Sequence, residues 1–180
     1  MSVETSQLPQ ASTFEWLDLD QLSKAPLRKA VVYWSAIRGA RLFPSRIDLK
    51  ARDVSGLLPY MSLVAVIDGG ADFEHRIVGD VVVRAFNVPV QNRRFSEIAR
   101  EAPQLIEVSF WLFRKVVETR APLAYMRRVE RDTFPVVYTV SEMVLLPLGR
   151  SDEAVDHIVG FAAHHSTVDS QIQSNCLTPP

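Results

Sequence analysis

Arg46, Asp48 and Arg76 carry the most suggestive polar spacing in this chain. Two guanidinium groups beside one carboxylate could grip an anionic ligand bidentately, and the same set could equally form a salt-bridge network fastening a connector to a strand. The structural role is the commoner one for such charges. His75 with Asp48 is the combination that could serve a small α+β enzyme acting on an apolar substrate, yet nothing in the sequence puts the two groups within hydrogen-bonding reach. Of the four histidines, His164 and His165 are adjacent. Consecutive residues of a strand point to opposite faces, which makes them a poor chelate for one metal ion. The single cysteine, Cys176, excludes an intramolecular disulfide and a thiolate cluster. The G-x-S-x-G, P-loop, G-x-G-x-x-G and H-E-x-x-H patterns do not occur, so no catalytic residue, metal ligand or cofactor is assigned.

A second set of residues is apolar. Phe86, Trp111, Tyr138 and Phe161, joined by His75, could line a pocket for a small molecule between helices and the inner face of a sheet. Aromatic residues at such positions also serve as plain core.

The elements that must position these groups can be read from periodicity. With 180 residues and 47% apolar content, the chain has the material for one domain with an ordinary core. Lys and Arg number 20 against 21 Asp and Glu, which gives no global attraction to nucleic acid or an anionic membrane. The pairs Arg93-Arg94 and Arg127-Arg128, with Arg131, read as solvated surface. No apolar run approaches the roughly 18 residues of a membrane span, and the start MSVETSQLPQ lacks the features of a signal peptide, so a cytoplasmic location is expected.

Residues 1–13 read as a disordered leader, with order beginning at Phe14, Trp16, Leu17 and Leu19. From Pro26 to Arg38, Leu27, Val31, Trp34 and Ile37 recur at helical spacing, with Gly39 just beyond. That stripe must cover the chain's own outer sheet face or meet a second copy, and a homodimer with Trp34 near its axis is expected. A connector pinned by Phe43, Ile47 and Leu49 leads to the hairpin LVAVIDGGADFEHRIVG, residues 63–79, whose strands are expected at the centre of the sheet. Helical pieces follow at 80–88 and 95–99, then a longer helix at 104–119 that is apolar on more than one side. Strands are expected at 122–129, 134–148 and 157–166, and a polar tail at 167–180. In the middle one of these strands Glu142 falls in phase with Tyr138, Val140, Val144 and Leu146, which predicts a bulge near Glu142.

Two strands, several helical pieces ending in a long helix, then three strands is the order of a PAS-like fold. The segments YWSAIRGARLFPSRIDL, GLLPYMSLVAVID, FEHRIVG and LLPL resemble the bacterial family of stand-alone PAS-like domains, in which a Trp-rich helix precedes a PxR-D element. Trp34, Arg38, Pro44, Arg46, Asp48, Leu58, Pro59, Arg76, Gly79 and Pro147 fall on that motif. The chain departs from it at Lys50-Ala51 and at Phe86-Asn87-Val88. The resemblance implies a five-stranded antiparallel sheet with helices on one face and an extra N-terminal helix, the domain covering 14–166. It further implies a non-enzymatic sensory or regulatory module that binds a small molecule or a separate signalling protein in bacterial signal transduction and dimerises through the helix before the first strand. The axial histidine of haem-binding PAS domains is missing from the long helix, and the core cysteine of flavin-adduct and coumaroyl photosensors is missing altogether.

Overall fold

The computed structural model describes residues 12–86, 88–129 and 140–165. Met61–Ile67 and Asp72–Val78 form a hairpin (β2 and β3) whose turn uses Gly69 and Gly70 at φ 67° and 103°, angles that residues with a side chain adopt at a cost. Leu123–Val129 (β4), Val140–Leu148 (β5) and His157–His165 (β6) follow the helices, as the β-branched and aromatic content of those stretches predicts. Residues 134–139, the start of the expected strand 134–148, and residues 166–180, the end of the last expected strand and the tail, lie outside the described residues.

The sheet has six strands, not five. Ser12–Leu17 forms a strand (β1) antiparallel to β4, giving the order β1-β4-β5-β6-β2-β3. The expected leader therefore runs too far, since Ser12 and Thr13 already pair with Val129 and Arg128. Alternation of Phe14 and Trp16 with polar neighbours is a strand signal, but a six-residue edge strand is easily lost beside a polar leader. The hairpin also lies at one end of the sheet: β3 is an edge, and the centre is β5 and β6.

Helices occupy both faces, the extra N-terminal helix lying opposite the long one. Opposed residues of antiparallel strands share a face, so the register from Phe73 through Val66, and from Val64 through Ile158 and Pro147, defines an inner face. Pro103–Thr119 (α4) covers it, with Phe110 and Phe113 packed on Phe73. Leu63, Val159, Phe161, Val144, Leu146 and Glu142 share the outer face, covered by Ala25–Arg38 (α1). Two short helices, Asp80–Phe86 (α2) and Phe95–Ile98 (α3), connect the hairpin to α4.

α1 starts with proline in its first turn and ends at Gly39, φ 59°. Its stripe packs within the chain: Leu27 and Trp34 are 0% and 3% exposed, and Val31 and Ile37 pack against the same core. Within one chain the stripe thus covers the outer face of the chain's own sheet, the first of its two expected placements.

The bulge expected near Glu142 is absent. Pairing of β5 with β4 and β6 is continuous through Glu142, whose fully buried side chain does face the apolar side. Polar partners resolve the conflict: Ser23 Oγ donates to Glu142 Oε2 at 2.5 Å and the Lys24 backbone N–H to Oε1 at 3.0 Å. The irregularity lies in the hairpin, where Leu63 and Val64 face Ile77 and His75 and leave Arg76 without an opposite residue.

Candidate functional site

The inner face is built from two aromatic groups with small side chains between them. At the β3 end, alternation along the strand turns Phe73 and His75 inward. The Asp72 carboxylate accepts from Ser96 Oγ at 2.6 Å and a bridge joins Glu74 to Arg94, so α3 is held against β3. That anchoring brings the Phe95 ring 5.3 Å from Phe73 and 5.0 Å from His75, while Phe110 and Phe113 approach from α4. At the β1 end, Trp16 meets Trp111 of α4 at 5.6 Å and Tyr125 of β4 at 6.1 Å, and Phe14 stacks beside Trp16 at 6.0 Å. The Arg127 guanidinium lies 5.7 Å from the Phe14 ring. Between the two groups the central strands present Ser62, Gly160 and Ala162, with Met143 and Leu145 beside them.

Burial sets the protonation of this face. His75 is 2% exposed, and loss of hydration pushes its imidazole down to about 4, so it is neutral at ordinary pH. Burial pushes the Tyr125 phenol up and the Arg127 guanidinium down. The Tyr125 hydroxyl lies 3.1 Å from Met143 Sδ. An apolar surface with a neutral imidazole at one end can solvate an uncharged molecule.

Of the expected pocket residues, the structure brings His75 and Trp111 to the inner face, in different aromatic groups. Phe161 is corrected: it opposes Met61 and Val144 on the outer face, so it cannot share an inner-face pocket with His75 and Trp111. The sequence fixes alternation within a strand but not which phase faces the long helix. Tyr138 lies outside the described residues, as does the side chain of Phe86. Trp16, Phe95 and Tyr125 were missed as wall residues; the first sits on the unforeseen strand, and the others were read only as members of their elements.

The polar set Arg46, Asp48 and Arg76 does not assemble. Asp48 accepts from Arg41 Nη2 at 2.8 Å and from the Ser45 backbone at 2.9 Å, and these bonds hold its carboxyl below the usual range. Arg76 pairs with Glu74 at 2.9 Å, and among the described residues Arg46 makes no ion pair. Asp48 also sits beside Tyr33 of α1 while His75 is on the inner face, so the acid–base pair of the enzyme reading does not form. His164, on β6, makes a 2.7 Å contact from Nδ1 to Ser141 Oγ, and no metal-binding cluster exists among the described residues.

The remaining motif residues are joints between elements. Trp34 Nε1 donates to the Pro147 carbonyl at 2.9 Å, and the Gly149 amide donates to Pro44 at 3.0 Å. A side chain on Gly79 would come within 2.0 Å of the Leu58 carbonyl oxygen and 2.5 Å of that of Pro59. These residues hold α1, the connector and the hairpin together and leave the aromatic groups of the inner face to side chains outside the motif.

The PAS domain family model matches residues 22–163, and the chain belongs to that family. No curated protein and no solved structure matches the chain. The match begins after β1, so the sixth strand lies outside the part of the chain it spans. Domains of this family are in general sensory or regulatory modules rather than enzymes. No helix among the described residues is long and apolar enough to cross a membrane.

Proposed function

We propose that this PAS domain is a non-enzymatic sensory module of bacterial signal transduction that takes up a small, uncharged, largely apolar molecule on the inner face of its sheet and passes its state to a separate protein. The observation that carries this reading is the run of small residues, Ser62 of β2 with Gly160 and Ala162 of β6, between two aromatic groups. Aromatic walls supply apolar contact at both ends, the Ser62 hydroxyl offers one hydrogen bond, and neutral His75 adds no charge. Signal output then depends on contacts with another chain, for which the outer helix α1 is the exposed candidate.

Native mass spectrometry of protein purified without denaturation tests this. A non-covalent adduct in the wild type that disappears in Ala162→Leu, a substitution filling the proposed place, is expected. Bare polypeptide mass from both, in protein expressed in its source cells, overturns the reading.

A further inference from the structure

The side of α1 that faces away from the sheet is a second surface with its own chemistry. Ala25, Lys29, Val32 and Ala36 recur at steps of four, three and four residues, and Val32 is 69% exposed. Ala25, Arg28, Lys29, Val32 and Tyr33 line an open cleft of about 470 Å³. Arg28 is fixed in place, since its Nη1 donates to the Leu22 carbonyl at 3.0 Å and to that of Ser23. On another side the Lys50 backbone N–H donates to the Tyr33 hydroxyl at 3.0 Å, which fixes the Tyr33 ring at the edge of the cleft.

α1 contains three basic residues and no acidic one, in a chain whose net charge is -1. Among the described residues neither Arg28 nor Lys29 forms an ion pair. We propose that this cleft docks an acidic amphipathic segment of a partner protein, one large apolar side chain resting on Ala25 and Val32 while carboxylates meet Arg28 and Lys29. Charge chooses the occupant. A second copy related by a two-fold axis would set Arg28 and Lys29 against their own equivalents, which is repulsive. An anionic membrane would find in the cleft only Ala25, Val32 and Tyr33 as apolar contact, on a chain with no positive net charge.

Fluorescence anisotropy with the full chain and two labelled helical peptides, one of glutamate and leucine and one of lysine and leucine, tests the docking. The glutamate peptide should bind, weaken as salt rises, and lose at least about tenfold in affinity with Lys29→Glu or Val32→Asp. Both positions are exposed, and circular dichroism melts check that the variants fold; Lys29→Ala, with a smaller loss, serves if either does not. Equal binding of the two peptides, or binding unaffected by the variants, overturns the proposal. So does a dimer in light scattering that the same variants dissociate, or association with phosphatidylserine vesicles when the glutamate peptide does not bind.

Discussion

The indole Nε1 of Trp34 donates to the carbonyl oxygen of Pro147 at 2.9 Å, tying the outer helix to a central strand. β4 pairs with β5 only as far as Leu123 opposite Leu145, so Pro147 has no strand neighbour on that side. Proline lacks the N–H that a neighbour would use, and its carbonyl takes the indole instead. Both groups are buried, so the bond cannot be exchanged for one to water.

Trp34→Phe keeps an aromatic ring and removes the donor, and should lower unfolding free energy by about 1–3 kcal/mol, the range for stranding a buried partner. Trp34→Ala should cost about 3–5 kcal/mol, because it also empties a core position. Urea unfolding monitored by circular dichroism checks both. A Trp34→Phe variant as stable as the parent would show that the bond contributes nothing.

Gly79 and Gly56 separate close approach from mere flexibility. An added methyl at Gly79 meets the Leu58 carbonyl at 2.0 Å, whereas at Gly56 it meets nothing within 4 Å. Gly79→Ala should therefore destabilise by about 1–3 kcal/mol or more, and Gly56→Ala should change little. Thermal melts of the two proteins, recorded side by side, give the comparison.

Glu142 accepts one hydrogen bond on each carboxylate oxygen. Glu142→Gln keeps an acceptor for the Lys24 amide, and the Ser23 hydroxyl can rotate to accept from the new amide, so a modest loss is expected. Glu142→Ala takes the partner from the part-buried Lys24 N–H and should cost about 1–3 kcal/mol. If the glutamine variant is as damaged as the alanine one, charge rather than hydrogen bonding holds the start of α1.

His75 makes stability depend on pH with a definite sign. Its folded value, about 4, lies below its ordinary 6.5, so the unfolded chain binds the extra proton across that interval. The contribution is fully present above pH 6.5, falls as pH drops towards 4, and then levels off. At about 1.4 kcal/mol per pKa unit the whole effect is on the order of 3 kcal/mol. Urea midpoints from pH 7 to 4 should decline in the parent and stay flatter in His75→Phe; parallel curves would remove His75 as the cause.

Hydrogen exchange should rank the strands by position in the sheet. Amides of Val159 and Phe161 on β6, paired on both sides, should outlast those of Glu74 and Arg76 on the β3 edge. The reverse order would contradict the strand arrangement.

The element types were legible because their signals are local. Proline followed by apolar residues at helical spacing marks α1 and α4, and Gly69-Gly70 between β-rich runs marks the hairpin. Which face of each strand meets which helix was not legible, since a period of two fixes alternation and leaves phase open; hence Phe161 was placed with His75 although the two lie on opposite faces. Ion-pair partners were not legible either. Asp48 was matched with Arg46 and Arg76 when Arg41 was its neighbour, and Arg93, read as solvated, holds Glu101 at 2.6 Å. Long side chains find carboxylates through turns whose geometry the sequence states only loosely.

The segment after α2 has a further effect on how molecules of this protein meet. His75 N–H donates to the Arg93 carbonyl at 3.1 Å, the Asn92 N–H donates back to the His75 carbonyl at 2.8 Å, and Gln91 Nε2 reaches the Arg76 carbonyl at 3.2 Å. The backbone groups that an edge strand would offer to a stranger are thus occupied at the middle of β3, next to a bulge and a Glu74–Arg76 ion pair that spoil a flat approach. Strand-by-strand polymerisation is blocked at that end, and a fibril seeded from the native sheet would have to start from β1.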